Sequence, residues 1–109
     1  MNTLNVGLEE RSRVFLDSSF IIRFLEGDKD AIKLMHLLEN ASLLTNLIVV
    51  SEVWFYILSA TYESTYGKYN LKKMKRKLRE IKDSLNIFDE FIRRARVKIL
   101  EINEEIGTI

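Results

Sequence analysis

The chain has 109 residues, no cysteine and a formal charge of +1 at pH 7. This length fits one compact domain, and the absence of cysteine excludes disulfide bonds and thiolate metal sites. No apolar run reaches the roughly 18–20 residues that a membrane span needs, and no signal-peptide pattern opens the sequence, so we expect a cytoplasmic protein.

The charge is unevenly distributed along the chain. Residues 1–67 carry 5 basic and 9 acidic side chains, whereas residues 68–109 carry 12 basic and 7 acidic ones. An acidic first part beside a basic second part favours self-association or an anionic partner. Residues 1–13 are polar without a hydrophobic period, and we expect them to form a loose lead-in.

The first regular pattern joins an apolar run to a helix through an aspartate. Val14–Leu16 is typical of a buried strand, and Ser18–Glu26 predicts a short helix that Ser18 or Ser19 caps. Asp17 therefore lies where the strand ends, at the sheet edge where ligands collect in open parallel sheets. Its carboxylate has two possible roles, to satisfy helix N–H groups or to bind a hard cation such as Mg²⁺.

A second strand follows a second helix. Lys29–Asn40 predicts a helix that buries a stripe of apolar side chains and leaves His36, the only histidine, on the surface. Ser42–Thr45 predicts a strand parallel to the first, with Asn46 at the turn that follows. The stripe consists of Ala31, Leu34, Met35 and Leu38.

Ile48–Tyr62 predicts a helix that is apolar almost all the way round, and such a helix is largely buried or shared with a partner. Glu52 lies inside this run. A buried Glu52 would need a cation, hydrogen bonds or a metal ion to offset the cost of burying its charge. The alternative is a glutamate near the first turn that reaches solvent and is favoured by the helix dipole.

The longest regular signal is a strict heptad pattern, here called the heptad seam. As one helix it would span about 37 Å, but Ser84–Asn86 could divide it. We expect it to lie antiparallel along the apolar helix before it, or against a second copy of the chain. The seam residues are Leu71, Met74, Leu78, Ile81, Leu85, Phe88, Ile92 and Ala95.

Basic residues crowd the first part of this pattern. They indicate either an ordinary solvated face or contact with the phosphates of a nucleic acid. Val97–Ile102 predicts a third strand, and Asn103 can cap a helix after it. The basic residues are Lys68, Lys72, Lys73, Lys75, Arg76, Lys77, Arg79 and Lys82.

These patterns predict an α/β fold with a short parallel sheet flanked by helices and a long heptad-patterned helix. Asp17 and Glu52, within Val14–Ile22 and Thr45–Val53, form a recognisable pair. From about residue 14 to residue 106 the chain resembles the PIN domain family, which includes VapC-like toxin ribonucleases of toxin–antitoxin pairs.

The resemblance implies a metal-dependent endoribonuclease in which Asp17 and Glu52 bind Mg²⁺ or Mn²⁺. It also implies that Ser19 and Asn46 orient these ligands, and that RNA and an antitoxin-like protein are partners. The sites of nucleic-acid contact are then Lys72, Lys73, Lys75, Arg76 and Arg79.

One departure separates the chain from the family pattern. The later acidic positions lie on a helix and a strand after the third strand, and no residue here matches them; Glu104 and Glu105 are not assigned to those roles. We therefore expect residues 14–109 to form a PIN-like domain that lacks the C-terminal strand and helix.

Three readings follow from that departure. The first is a ribonuclease completed by absent sequence or by assembly. The second is an inactive PIN-like oligomer that binds protein or nucleic acid, and the third is a purely helical interaction protein without a parallel sheet.

Two geometric expectations accompany the first reading. The carboxylates of Asp17 and Glu52 should approach within about 4–8 Å, a span that one ion and its waters can bridge. A homo-oligomer should also bury more than about 1,000 Å² between copies of the chain.

Overall fold

A computed structural model of the protein describes residues 12–101. The α/β class with a short parallel sheet is confirmed, and the purely helical reading is wrong. Predictions for residues 1–11 and 102–109, including the Asn103 cap, lie outside the described residues. The elements are β1 (Arg13–Phe15), α1 (Ser18–Leu25), α2 (Lys29–Leu37), β2 (Ser42–Asn46), α3 (Leu47–Tyr66), α4 (Leu71–Arg76), α5 (Leu78–Ile81), a 3-10 helix (Lys82–Leu85), α6 (Asn86–Arg94) and β3 (Lys98–Leu100).

The sheet has the order β1-β2-β3, and β2 pairs in parallel with both neighbours. Phe15 lies opposite Leu44, and Asn46 lies opposite Leu100. Because all three strands run the same way, their carboxyl ends meet at one edge of the sheet. The topology therefore brings the residues that follow β1 close to the end of β2.

The strand and helix bounds differ from the sequence predictions by a few residues. β1 begins at Arg13 rather than at residue 14, and β3 begins at Lys98 rather than at Val97, because the pairing with β2 starts at Lys98. α2 ends at Leu37, three residues earlier than expected, and Leu34 of its predicted stripe is exposed. His36 is exposed, as predicted.

α3 connects two hydrophobic cores. Its first half packs into a main core with the sheet, α1 and α6. Its second half forms a smaller core with α4 and α5, and residues 58–81 are here called the helical arm. The buried residues of the main core are Leu16, Ile21, Leu43, Val49, Val50, Val53, Phe88, Phe91 and Val97. Those of the arm are Tyr62, Met74 and Ile81, with Leu58 and Tyr69 packed against them.

Of the two alternatives predicted for α3, burial within the described chain is wrong, and sharing with a partner stays a prediction. Ile48, Trp54, Phe55 and Tyr56 are exposed although they lie in the apolar run. The reason is that neighbours cover only one side of the first half of the helix. Within residues 12–101 no helix is both long and apolar enough to cross a membrane.

The heptad seam is not one helix. The chain breaks at Lys77, whose backbone leaves the helical region (φ −102°, ψ 8°), and again in the 3-10 helix that includes Ser84. Met74, Ile81 and Phe88, which are spaced seven apart, are nevertheless buried, whereas Leu71 and Leu78 are exposed. The seam therefore packs antiparallel along α3, as expected, but in short segments.

Candidate functional site

Asp17 follows β1 and caps α1. Its carboxylate accepts hydrogen bonds from the Ser19 N–H at 2.7 Å and from the Ser19 hydroxyl at 3.1 Å. The predicted role of Asp17 in satisfying helix N–H groups is thus confirmed, and Asp17 rather than Ser18 or Ser19 is the N-cap of α1. Asp17 is exposed to solvent, so it has access to an incoming cation.

Asn46 lies beside Asp17 at the same sheet edge. The register Phe15–Leu44 continues through the Leu16 N–H, which donates to the Leu44 carbonyl at 2.7 Å. Asn46 is therefore level with Asp17 on the neighbouring strand. Its side-chain oxygen caps α3 by accepting from the Val49 N–H at 2.9 Å.

A buried hydroxyl fixes the end of β1. Thr45 is fully buried, and its Oγ1 donates to the Leu16 carbonyl oxygen at 2.9 Å. This bond satisfies the last carbonyl before Asp17 and ties it to β2. A buried polar group that is paired in this way holds the backbone in place, because breaking the pair leaves an unsatisfied group.

Glu52 lies in the second turn of α3 and is exposed. The reading that buries its charge is therefore wrong, and the reading that lets it reach solvent is correct. Val49, Val50 and Val53 face the main core instead. The approach of its carboxylate to that of Asp17 within about 4–8 Å stays a prediction.

Among residues 12–101, no basic side chain forms an ion pair with Asp17 or Glu52. The ion pairs seen there include those of Asp28, Glu80 and Glu90. A pair of solvated carboxylates offers the oxygen ligands that Mg²⁺ and Mn²⁺ prefer, with waters completing the coordination. Within residues 12–101, no group of three or more Asp, Glu, His or Cys side chains is placed to hold a metal ion.

The five basic residues predicted to contact nucleic acid all belong to the helical arm and are exposed. They lie beside the second half of α3, whereas Asn46 precedes its first residue, and a helix of 20 residues is about 30 Å long. The structure therefore separates them from the sheet edge. They are Lys72, Lys73, Lys75 and Arg76 in α4 and Arg79 in α5.

Two surface features were not predicted from the sequence. An apolar groove of about 480 Å³ lies between α1, α2 and α6, lined mainly by Phe24, Met35, Ile87 and Phe91. A row of aromatic rings also follows one side of α3. Helical spacing within α3 would have revealed the row, but the groove depends on the packing of three separate helices.

Comparison with known proteins agrees with the fold. The sequence profile of the PIN domain matches residues 14–109. Ribonuclease VapC2 of Methanocaldococcus jannaschii is 34% identical over 102 residues, which cover 92% of this chain and 64% of that protein. This chain thus spans slightly less than two-thirds of the length of that relative, and no solved structure matches it. The chain belongs to the PIN domain family.

Proposed function

We propose that this chain carries part of the metal centre of a PIN-type endoribonuclease of the toxin–antitoxin class. The observation that supports this most directly is the solvated Asp17 carboxylate at the carboxyl edge of the sheet, level with Asn46 and without a cationic partner among residues 12–101. Family membership and a relative named as a ribonuclease support the same reaction.

In this proposal Asp17 and Glu52 bind one Mg²⁺ or Mn²⁺ ion. The ion, when bound, would lower the pKa of a water ligand and offset charge on the phosphate being cut. Ser19 holds the Asp17 carboxylate through two hydrogen bonds, and Asn46 fixes the start of the helix that carries Glu52. These contacts orient the ligands in the manner of outer-shell groups in metal sites.

Two carboxylates bind Mg²⁺ loosely, because waters supply most of its ligands. We therefore propose that further acidic groups come from sequence outside residues 12–101 or from an assembled partner. The Lys72–Arg76 segment and Arg79 would bind RNA phosphates along the arm.

RNA cleavage with and without Mn²⁺ tests this proposal. We expect cleavage only with the metal, and a loss of at least about 100-fold in Asp17→Asn, because that substitution removes a ligand charge from a metal worth several kcal/mol. Asparagine still caps a helix, so the fold should survive. Asp28→Asn is the matched control, since Asp28 caps α2 in the same way. Equal cleavage by both variants would contradict the proposal.

The second candidate is a catalytically inactive PIN-like binding module. It is favoured by the absence of a cluster of three metal-binding side chains within residues 12–101. It predicts no metal-dependent cleavage, and partner binding that Asp17→Asn leaves unchanged. Mn²⁺ titration separates the two candidates further, because only the nuclease should lose metal affinity in Asp17→Asn and Glu52→Gln but not in Glu63→Gln.

We also propose a homo-oligomer. β1 is an edge strand among the described residues, and exposed apolar side chains include Phe15, Leu34 and Leu37. Exposed edges and apolar patches of this kind are usually covered. Light scattering should give at least twice the monomer mass of 12.8 kDa, and a monomer at micromolar concentration would contradict the proposal.

An antitoxin-like protein is the remaining partner that we propose, by the resemblance to toxin–antitoxin ribonucleases. The apolar groove between α1, α2 and α6 is suited to an apolar segment of such a protein. Coexpression with candidate antitoxins of the host tests this. Copurification that Ile87→Lys abolishes would support it, because Ile87 is an exposed residue of the groove lining.

A further inference from the structure

A row of aromatic rings lies along one side of α3 and on the turn that follows it. It consists of four rings, here called the aromatic strip: Phe55, Tyr62, Tyr66 and Tyr69. Phe55 and Tyr66 are 50% and 41% exposed, whereas Tyr62 is buried and Tyr69 is half-buried. The strip thus presents two rings to solvent on a support of two further rings.

Each exposed ring is held by a ring behind it. The centroids of Phe55 and Tyr69 are 5.8 Å apart in an edge-to-face arrangement, and those of Tyr66 and Tyr62 are 5.2 Å apart. Tyr62 and Tyr69 are fixed in turn by the arm core with Met74. The exposed rings are therefore ordered before any ligand binds, which lowers the entropy cost of binding.

Positive charge lies beside one exposed ring of the strip, Tyr66. The Lys77 Nζ lies 5.1 Å from the centroid of the Tyr66 ring, a cation–π contact, and also pairs with Glu80. Residues 68–82 hold eight basic side chains and one acidic one. Exposed aromatic rings within a strongly basic surface are the combination that binds single-stranded nucleic acid, because the rings stack on bases and the cations neutralise phosphates.

The exposed rings of the strip lie on the same side of α3 as Glu52. Helical spacing places Glu52, Phe55 and Tyr66 on one side of α3, within about 60° of one another around the axis. Phe55 is one turn from Glu52, and Tyr66 is about 16 Å farther along the helix. A strand bound along the strip would therefore reach the side of α3 that carries the candidate metal ligand.

We propose that the aromatic strip binds unpaired RNA bases while the lysines of α4 bind the adjoining phosphates, so that the arm recognises single-stranded RNA. This inference rests on the proposed ribonuclease function for its choice of ligand. Duplex RNA is a poor ligand for the strip, because its bases are already stacked on one another. An acidic protein would complement the positive charge, but its carboxylates cannot stack on the exposed rings.

Fluorescence anisotropy with a labelled uridine RNA of about ten nucleotides, within the site sizes of single-strand binders, tests the proposal. EDTA prevents cleavage during the measurement. We expect Tyr66→Leu and Phe55→Leu each to raise the Kd about tenfold, whereas Tyr66→Phe keeps the ring and the affinity. Lys72→Ala should reduce the slope of log affinity against log salt by about one.

Tyr56→Leu is the matched control. Tyr56 lies on the same helix and is 39% exposed, but its hydroxyl donates to Glu26 on the α1 side. It should bind RNA like the unchanged chain. Circular dichroism of every variant separates a lost contact from a lost fold.

Three results would overturn the inference. They are no RNA binding by the unchanged chain, unchanged binding in both leucine variants of the strip, or equal binding of duplex RNA or poly-glutamate with the same dependence on Tyr66. Binding measured in EDTA does not require cleavage, so the two readouts are independent. Ring-dependent binding without any metal-dependent cleavage would therefore contradict only the proposed nuclease, and cleavage without ring-dependent binding would contradict only the inference.

Discussion

α3 begins directly after β2 of the parallel sheet, and it ends shortly before the short helices α4 and α5. The sheet end is held by strand pairing, by the Thr45 hydroxyl and by side-chain caps at Asp17 and Asn46. The arm end is held by rings and by Met74 and Ile81 in a much smaller core. Strand pairing and side-chain hydrogen bonds thus set the position of Asp17, whereas the position of the rings depends mainly on side-chain packing in the small core of the arm.

The two ends of α3 should therefore differ in stability. Elements with few buried apolar contacts open locally, at a lower free energy than the core of the domain. The arm should therefore open without unfolding the sheet, and the following predictions test that difference.

Phe88→Ala should have the largest effect. Phe88 is 1% exposed in the main core, and the lost burial plus the cavity should lower the free energy of unfolding by about 3–5 kcal/mol. Denaturant unfolding measures this. Ile87→Ala, at the exposed neighbouring position, is the control and should change little.

Met74→Ala should lower the free energy of local opening of the arm by about 2–4 kcal/mol. The stability of the sheet should not change. Amide hydrogen exchange should show faster opening of α4 and α5 with unchanged protection of β2. Leu71→Ala, at an exposed position of the same helix, is the control. Equal loss of protection in β2 would show that the two ends unfold together, and the contrast between them would then be wrong.

Asn46→Ala should lower the free energy of unfolding by about 1 kcal/mol, because the first turn of α3 loses its cap. Asn46→Asp should restore most of this stability, since aspartate caps equally well. Urea unfolding of both variants provides the measurement. No loss in the alanine variant would mean that packing alone fixes the start of α3.

Acid should lower the free energy of unfolding by a small amount, through carboxyl groups at the start of α2 and in α6. The Ala31 N–H bond to Asp28, with help from Arg23, lowers the pKa of that carboxyl below its usual 3.8, and Arg93 lowers the pKa of Glu90 below its usual 4.5. A lowered folded-state pKa stabilises the protein above the unfolded-state pKa, and this stability is lost as the pH falls through the folded-state value. Unfolding at pH 7 and pH 3 should show a smaller difference in Asp28→Asn.

Much of the sheet end could be predicted from sequence. The apolar run before Asp17 and the polar residue at the end of β2 are local signals, and they were sufficient to predict that β2 is parallel to β1 and that Asp17 follows β1. The sequence offered both Asp17 and the two serines as partners of the helix N–H groups, because both residue types cap helices. The spacing of Asp17 from Glu52 depends on how α3 packs, which local signals do not encode.

The helical arm was harder to predict. The strict seven-residue spacing favours one helix, and Lys77, where it breaks, is neither glycine nor proline. Tertiary packing overrides the local preference there. The apolar composition of α3 suggested burial, yet Phe55 and Tyr66 face solvent, because composition does not tell how many sides of a helix find neighbours.

The Thr45 hydroxyl has a consequence for how an ion would be captured. Since the Leu16 carbonyl already has its partner, the backbone that leads into Asp17 is fixed to β2 before a cation arrives. Binding of an ion would then release water from the ion without moving that part of the backbone. Thr45→Val would keep the shape of the side chain but remove this hydrogen bond. The backbone before Asp17 would then have to become ordered each time an ion binds.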